Sequence, residues 1–363
     1  MNFKAVPIAR LVSQKIAAPG LETAAQCVAW MGGMQAQDFR MSQWAIGLRL
    51  PGATETDIRR AIDSAEIIRT HLLRPTWHFV SATDIYWMLN LTAPHLKAGM
   101  KGRHKALELD DRILKKCNSI IEDALVAGKN LTRKELVAEL NKHKIATDNN
   151  RSSHIFLNAE LEGLICSGKI KGSQPTYALL GQRVPSKKIF NKEESLCLLA
   201  TKYFQSHSPA TFNDFLWWSG LPVTEARQAL EMVKGNFFKQ KINESEYWFN
   251  DSFTGQQTRK NSIFLLPAFD EYLISYKDRS ASICSIHESK AFSKNGIFWP
   301  TIIANGKVEG TWKREIQKDR LMITARFFDS KFEAGTLHLK KAAEKLGLFL
   351  NCRTELVLAG QQK

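Results

Sequence analysis

The sequence predicts an α+β fold: three tandem winged-helix domains followed by a C-terminal antiparallel β-barrel. Three observations lead there. A pattern of two or three short helices followed by two strands around a polar turn occurs three times. From about residue 258 the chain becomes rich in β-branched and aromatic residues. The length, 363 residues, exceeds what one hydrophobic core ordinarily serves.

The first copy opens with "LETAAQCVAWMGG", an amphipathic segment stopped by Gly32 and Gly33. "TETDIRRAIDS" follows, with Thr54 or Thr56 placed to cap a helix. "IIRTHLLRPTWHFV" then gives two β-rich runs around Arg74-Pro75, and a new helix is expected from "SATDIYWMLNL", with Ser81 at the N-cap and Asp84 three residues on. The second copy runs from "NSIIEDALVAGKNLTRKELVAELNKHKI" to "SSHIFLNAELEGLICSGKIKGSQPTYALL". Thr132 and Glu135 have the spacing of a capping box, and Gly172, Ser173 and Pro175 mark the bend of a hairpin. In the third copy "VTEARQALEMV" is the last helix, and "FKQKINESEYWF" is a hairpin turning at Asn243 to Ser245. Helices followed by a two-stranded hairpin make a winged helix. No fixed residue recurs with a period, so the likeness among copies is architectural.

The last segment contains "NSIFLLPAFDEYLISY", "GIFWPTIIANGKVEGTWK" and "RLMITARFFDS", and Asn305-Gly306 between apolar runs is a strong hairpin signal. One helix, "TLHLKKAAEKLGLFL", precedes a final strand, "RTELVLA". These features predict a small antiparallel barrel or curled sheet with one helix. The expected domains are residues 1–110, 111–185, 186–256 and 257–363.

Composition narrows the function classes. Hydrophobic residues make up 44% and charged residues 24%, as in an ordinary water-soluble protein, and no apolar run reaches the ~18 residues of a membrane span. The first residues lack the apolar stretch of a secretion signal, and six scattered cysteines show no C-x-x-C pair. A cytoplasmic protein with no membrane association, no metal and no cofactor is expected. Lys and Arg number 51 against 36 Asp and Glu, a net charge of +15, which suits a polyanionic partner such as double-stranded DNA. The excess is clustered. "KAGMKGRHK" holds four basic residues and no acid: Lys97, Lys101, Arg103 and Lys105. "GKIKGSQPTYALLGQRVPSKKIFNK" holds six and no acid, among them Lys169, Lys171, Arg183, Lys187 and Lys188. These nine named residues are the candidate DNA-binding set.

Several motifs fail on inspection. "GLICSGK", Gly163 to Lys169, approaches a phosphate-binding loop, but Ile170 stands where a hydroxyl is needed, and the loop leads from helix to strand. His71 and His78 flank the first wing on opposite strand faces and so do not share a metal. Trp217-Trp218 reads as helix core, and Ser219 and Cys197 lack a neighbouring base.

"GMQAQDFR", Gly33 to Arg40, is informative. Residues two apart point about 200° away from each other on a helix but share a side on extended backbone. Behind the helix-breaking glycines, Gln35 and Gln37 are expected to converge from an extended segment. Satisfying backbone groups of a buried turn is the other role open to them.

"GMQAQ", "THLLRPTWHFV", "LLPAFDEYLISYKDR" and "GIFWPTIIANGKVEGTWKR", in that order, resemble the winged-helix DNA-binding family that contains the AlkZ-type DNA glycosylases. The resemblance covers nearly the whole chain. It implies tandem winged helices and a β-barrel around a DNA channel, excision of alkylated bases including N7-alkylguanine adducts and interstrand crosslinks, and a catalytic Gln-x-Gln motif, matched here by Gln35 and Gln37. His71, Arg74 and His78 match the family's H-x-x-R-x-T-x-H pattern and become supporting candidates.

The chemistry is coherent. An N7-alkylated purine carries positive charge and leaves without being protonated, so hydrolysis needs only a positioned water and stabilisation of an oxocarbenium-like sugar. Carboxamides can provide both. Asp38, a better base, is expected to face away from the pair. The sequence therefore points to a DNA glycosylase acting on alkylated purines, expected to be a monomer. The rivals are a non-catalytic winged-helix DNA binder, such as a transcription regulator, and an RNA-binding accessory protein. Three wings without a ligand or dimerisation segment argue against the regulator, which normally reads paired half-sites.

Overall fold

In the computed structural model, residues 3–250, 262–329 and 336–359 are described. A short helix α1 (Val6–Ser13) leads into the first unit, whose order is α2 (Ala24–Met31), β1 (Met34–Gln35), α3 (Phe39–Arg49), α4 (Glu55–Asp63), β2 (Ile67–Leu72) and β3 (Thr76–Ser81). Local chemistry sets these limits. Thr23 and Gln26 form a capping box at the start of α2, and Gly32, with φ of 77°, ends it. Thr54 and Asp57 cap α4 in the same way. The sheet order is β1-β3-β2, so the two residues of β1 pair with the far strand of the hairpin, Met34 with Phe79 and Gln35 with His78.

A long helix α5 (Ile85–Ala106) connects to the second unit. It begins later than expected: Ser81 is held in the ladder opposite Ile67, and its hydroxyl donates to Asp84, which stands at the helix N-cap. The second unit repeats the first: α6 (Asp111–Leu125), β4 (Leu131–Thr132), α7 (Arg133–Lys142), α8 (Arg151–Leu161), β5 (Ile165–Ser167) and β6 (Thr176–Leu179), in sheet order β4-β6-β5. The expected Thr132–Glu135 capping box is formed. After a single turn α9 (Leu180–Arg183) comes the third unit, with α10 (Lys192–Ser206), α11 (Phe212–Ser219), α12 (Val223–Val233), β7 (Phe238–Ile242) and β8 (Ser245–Phe249). Here the first strand is reduced to one bridge, Ala210 with Trp248. Asn243 and Glu244, both with positive φ, make the two-residue hairpin turn.

The C-terminal part corrects the barrel. Its strands β9 (Ile263–Leu266), β10 (Thr301–Ala304), β11 (Lys307–Gln317), β12 (Arg320–Phe327) and β13 (Arg353–Leu358) form an open sheet in the order β13-β12-β11-β10-β9. The β12–β13 pair is parallel, because a crossover through α15 (Thr336–Leu350) brings the chain back to the same end. That helix packs against both edge strands, β9 and β13, and against α3. Curl cannot close into a barrel with a helix lying between the edges. A one-turn helix α13 (Glu271–Ile274) follows β9, and a second, α14 (Glu288–Ala291), precedes β10. The Asn305-Gly306 turn joins β10 to β11 as its sequence requires.

One hydrophobic core joins α2, α3 and α4 to the C-terminal sheet and α15, including Trp44, Trp312 and Phe349. A second joins α5 to the third unit, and a third belongs to the second unit. The Gln-x-Gln segment lies on the first of these, where strands of the first unit meet the C-terminal part. The expected boundary at 256/257 lies outside the described residues. No described helix is long and apolar enough to cross a membrane.

Candidate active site

Gln35 is buried, with 5% of its surface exposed, and is held at two points. Its backbone N–H donates to Glu271 Oε1 at 2.5 Å, and its side-chain oxygen accepts from Arg74 Nη2 at 3.1 Å. A guanidinium only donates, so the atom facing Arg74 must be the amide oxygen. The NH₂ group and one lone pair of that oxygen remain uncommitted. The following residue is fixed on both sides: Ala36 N–H donates to Trp77 O at 2.7 Å, and Ala36 O accepts from Arg69 Nε at 2.9 Å. Arg69 is itself wedged over the rings of Trp77 and Phe39.

Gln37 differs. It is exposed, has no hydrogen bond among the described residues, and lines an open cavity of about 440 Å³. Asp38, Phe39, Arg40, Phe269 and the second hairpin's Ser173 and Pro175 complete that cavity, so Asp38 shares the wall with Gln37 and does not face away from it as expected. The two carboxamides thus lie two residues apart on held backbone, but only one is free. Asp38 is committed elsewhere: it is the N-cap of α3, accepting from Arg40 N at 3.1 Å and Met41 N at 3.0 Å.

The first hairpin divides its three candidates. His78 is the cross-strand partner of Gln35 and is fully buried. Its Nδ1 lies 2.9 Å from Thr76 O, which can only accept, so the proton sits on Nδ1. Nε2 is left as a buried acceptor without a partner among the described residues. Burial, with help from the Arg74 charge, pushes His78 down to about 3, so the ring is neutral. Arg74 reaches Ile274 O at 3.3 Å as well as Gln35. His71 pairs with Trp77 on the other face and bonds Glu160 of α8, which also accepts from Trp77 Nε1 at 3.3 Å. It joins the first and second units and does not face Gln35.

The nine basic candidates also separate. Lys101, Arg103 and Lys105 are exposed in the last turns of α5, where cations suit a helix C-terminus. Lys169, Lys187 and Lys188 are exposed and carry no ion pair among the described residues. Lys97 pairs with Glu162 and Lys171 with Glu135, each at 2.7 Å. Arg183 is turned inward: it donates to the carbonyls of Asp63 and Ile62, at the end of α4, and anchors the second unit to the first.

Sequence reasoning missed the frame behind the motif. Glu271 is buried and holds the Gln35 backbone, Ser275 Oγ donates to its other oxygen, and His207 lies 3.8 Å away. Burial alone would raise this carboxyl, but His207, Arg74 and Ser275 outweigh it and hold it at about 2. The preceding Asp270 caps α13 and forms a two-pronged pair with Arg49, at 2.9 and 3.0 Å. Arg49 in turn binds Gln14 Oε1 at 2.8 Å. The quoted "LLPAFDEYLISYKDR" contained these residues, but Gln35 and Arg49, which they hold, lie more than 200 positions away. Trp217-Trp218 needs correction: Trp218 is core, whereas Trp217 is 37% exposed, and its ring has the cations of Lys277, Arg279 and Arg74 within 5.9 Å.

Fold and site define a class in which a held, largely uncharged polar centre sits among helix–hairpin units of a basic chain. A family model described as "DNA glycosylase AlkZ-like" matches residues 28–349, and the chain belongs to that family. It is therefore an enzyme of the DNA glycosylase class, a hydrolase serving DNA repair, and not a non-catalytic regulator. Among characterised proteins it is similar to the interstrand DNA cross-link repair glycosylase of Streptomyces sahachiroi, with 21% identity over 83% of this chain and 84% of that one. In structure it is similar to the Streptomyces sahachiroi DNA glycosylase AlkZ, with a TM-score of 0.80 and 18% identity, covering 98% of this chain and all of the other.

Proposed function

We propose that this enzyme hydrolyses the N-glycosidic bond of alkylated purines in duplex DNA, of the N7-alkylguanine or N3-alkyladenine type, with Gln35 and Gln37 as the catalytic pair. The observation that carries this reading is that both carboxylates nearest the motif are committed. Asp38 caps α3, and Glu271 holds the Gln35 backbone while balanced by Arg74 and His207. With Asp38, which shares the cavity wall, tied to two backbone amides, and with His78 neutral, the centre keeps its amides free to act. It suits a base that already carries positive charge.

In the proposed step, the bond between the sugar C1′ and the purine nitrogen breaks, and its electron pair neutralises the cationic ring. Water oxygen bonds to C1′ and its proton passes to solvent. Gln37, free on the cavity wall, orients that water. Gln35, locked by Arg74, directs its remaining lone pair toward the developing sugar cation. The three helix–hairpin units are read as tandem winged helices, with domains at 1–110, 111–185, 186–256 and 257–363. A monomer working on DNA in the cytoplasm follows from this reading. Lys101, Arg103, Lys105, Lys169, Lys187 and Lys188 provide the phosphate-tracking surface, Lys97 and Lys171 join it on exchanging a carboxylate for a phosphate, and Arg183 and His71 act through the fold. The similarity to a cross-link repair glycosylase extends the candidate substrates to interstrand crosslinks.

The test is substrate scope. Duplexes carrying 7-methylguanine or 3-methyladenine should release the base, whereas those carrying neutral hypoxanthine should not. Release of hypoxanthine at a comparable rate would require an acid that the two amides do not supply.

A further inference from the structure

Two part-buried guanidiniums, Arg74 against Gln35 and Arg279 across the Trp217 ring from it, are paired with no carboxylate among the described residues. Arg74 donates to Gln35 Oε1 and Ile274 O, and its Nε has no partner among the described residues. Arg279, on the loop after α13, donates Nε to Leu273 O at 2.8 Å, and its buried Nη2 has no partner among the described residues. Neither forms an ion pair among the described residues. Arg279 stands in an aromatic box, 5.1 Å from the centroids of both Phe292 and Phe298 and 5.6 Å from that of Trp217. Trp217 also lies under Arg74 at 5.9 Å and exposed Lys277 at 4.8 Å. Of the carboxylates whose charges reach them, Asp214 is already engaged by the backbone amides of Lys277 and Asp278 and by Arg10, and Glu271 by the Gln35 N–H and Ser275, while Glu288 and Asp278 act on Arg279 without pairing to it.

Three cations gather around one partly exposed ring, and none of them is paired directly with a carboxylate among the described residues. Burial and the neighbouring Arg74 bring Arg279 down to about 10. They would also repel a cationic base entering beside Gln35. A guanidinium fork in a dry box matches the geometry of a phosphodiester, and a DNA strand brings one with every nucleotide. We propose that Arg279, with Arg74 and Lys277 around Trp217, binds the backbone phosphate next to the lesion nucleotide, anchoring that nucleotide at Gln35 and cancelling the positive field that a cationic base would meet. This inference rests on the glycosylase reading above, and it assigns a task to the "YKDR" and "WW" motifs that the catalytic pair leaves unexplained.

The test uses the full chain and a duplex with a tetrahydrofuran abasic analogue, so binding is read without excision. Neutral methylphosphonates are placed one at a time at the phosphates flanking the analogue and at remote ones. One flanking position should weaken binding about tenfold, as expected for a charge-assisted pair. Arg279→Gln should weaken the unmodified duplex by a similar factor and lower the salt slope by about one. Combined with the sensitive methylphosphonate, it should add little, because both remove the same contact. Lys277→Ala, on the surface, should give a smaller loss at the same phosphate and guards against misfolding of the Arg279 variant. Losses that multiply for Arg279→Gln at every phosphate, or equal losses at flanking and remote phosphates, overturn the proposal. Excision of 7-methylguanine by the unaltered enzyme is scored separately, so a failed clamp and a failed activity are distinct outcomes.

Discussion

At the scale of residues, the site is a set of neutral groups held by buried charges. Arg74 settles which end of the Gln35 amide faces inward, Glu271 settles the backbone, and His78 presents a bare nitrogen on the same face. The charges set a pH dependence whose sign can be worked out. His78 is pushed down from an ordinary 6.5 to about 3, and Glu271 from 4.5 to about 2. In both cases the unfolded chain takes up the proton more readily than the folded one. The stabilisation is complete above 6.5 and is lost as pH falls, first through His78 below 6.5 and then through Glu271 below 4.5. Buried His207, also pushed down, adds in the same direction. Thermal unfolding should therefore show Tm falling between pH 6.5 and 4.5, with a smaller fall in His78→Asn. A flat Tm across that window would mean that these side chains are not buried as described.

At the scale of elements, the position of the Gln-x-Gln strand depends on the helix that follows it. Asp38 starts α3, and α3 lies against α15 of the C-terminal part through Trp44, Gly47 and Phe349. Gly47 permits that approach, since a Cβ there would lie 2.3 Å from the Phe349 ring. Gly47→Ala should destabilise the protein by about 1–3 kcal/mol, the usual cost of overpacking a core. Chemical denaturation would measure it. The variant should recover part of the loss when Phe349→Leu removes the ring, and no change in midpoint for Gly47→Ala would contradict the packing. Local signals were legible at this scale. Capping boxes, the Asn305-Gly306 turn and the three helix-then-hairpin patterns all depend on residues within a few positions. The open sheet was not legible, because the parallel β12–β13 pair depends on where α15 docks, and that is decided by α3 and β9 far away in sequence.

At the scale of the whole molecule, the candidate site is assembled from distant parts: Gln35 and Arg74 from the first unit, Trp217 and His207 from the third, Glu271 and Arg279 from the C-terminal part. The motif itself could be found in the sequence through its resemblance, with three other stretches in the same order, to the family's Gln-x-Gln pattern. Its frame could not, since Arg49 meets Asp270 across 221 positions and Gln35 meets Glu271 across 236. Basic clusters were visible, but not which members are exposed; Arg183 looks like its neighbours in sequence and is turned inward by α4.

The central claim is that two amides, and no carboxylate, perform the hydrolysis. The direct measurement is single-turnover release of 7-methylguanine by Gln35→Ala, Gln37→Ala and the double variant, with DNA affinity determined in parallel. Each single variant should be slower by roughly 10²-fold or more, as on losing one preorganised group elsewhere. The double variant should lose less than the product, because both act on the same transition state, and affinity should barely change. Asp38→Asn should excise normally, since Asn caps a helix about as well as Asp. Undiminished excision by a folded, DNA-binding double variant, or loss of activity in Asp38→Asn alone, would contradict the claim.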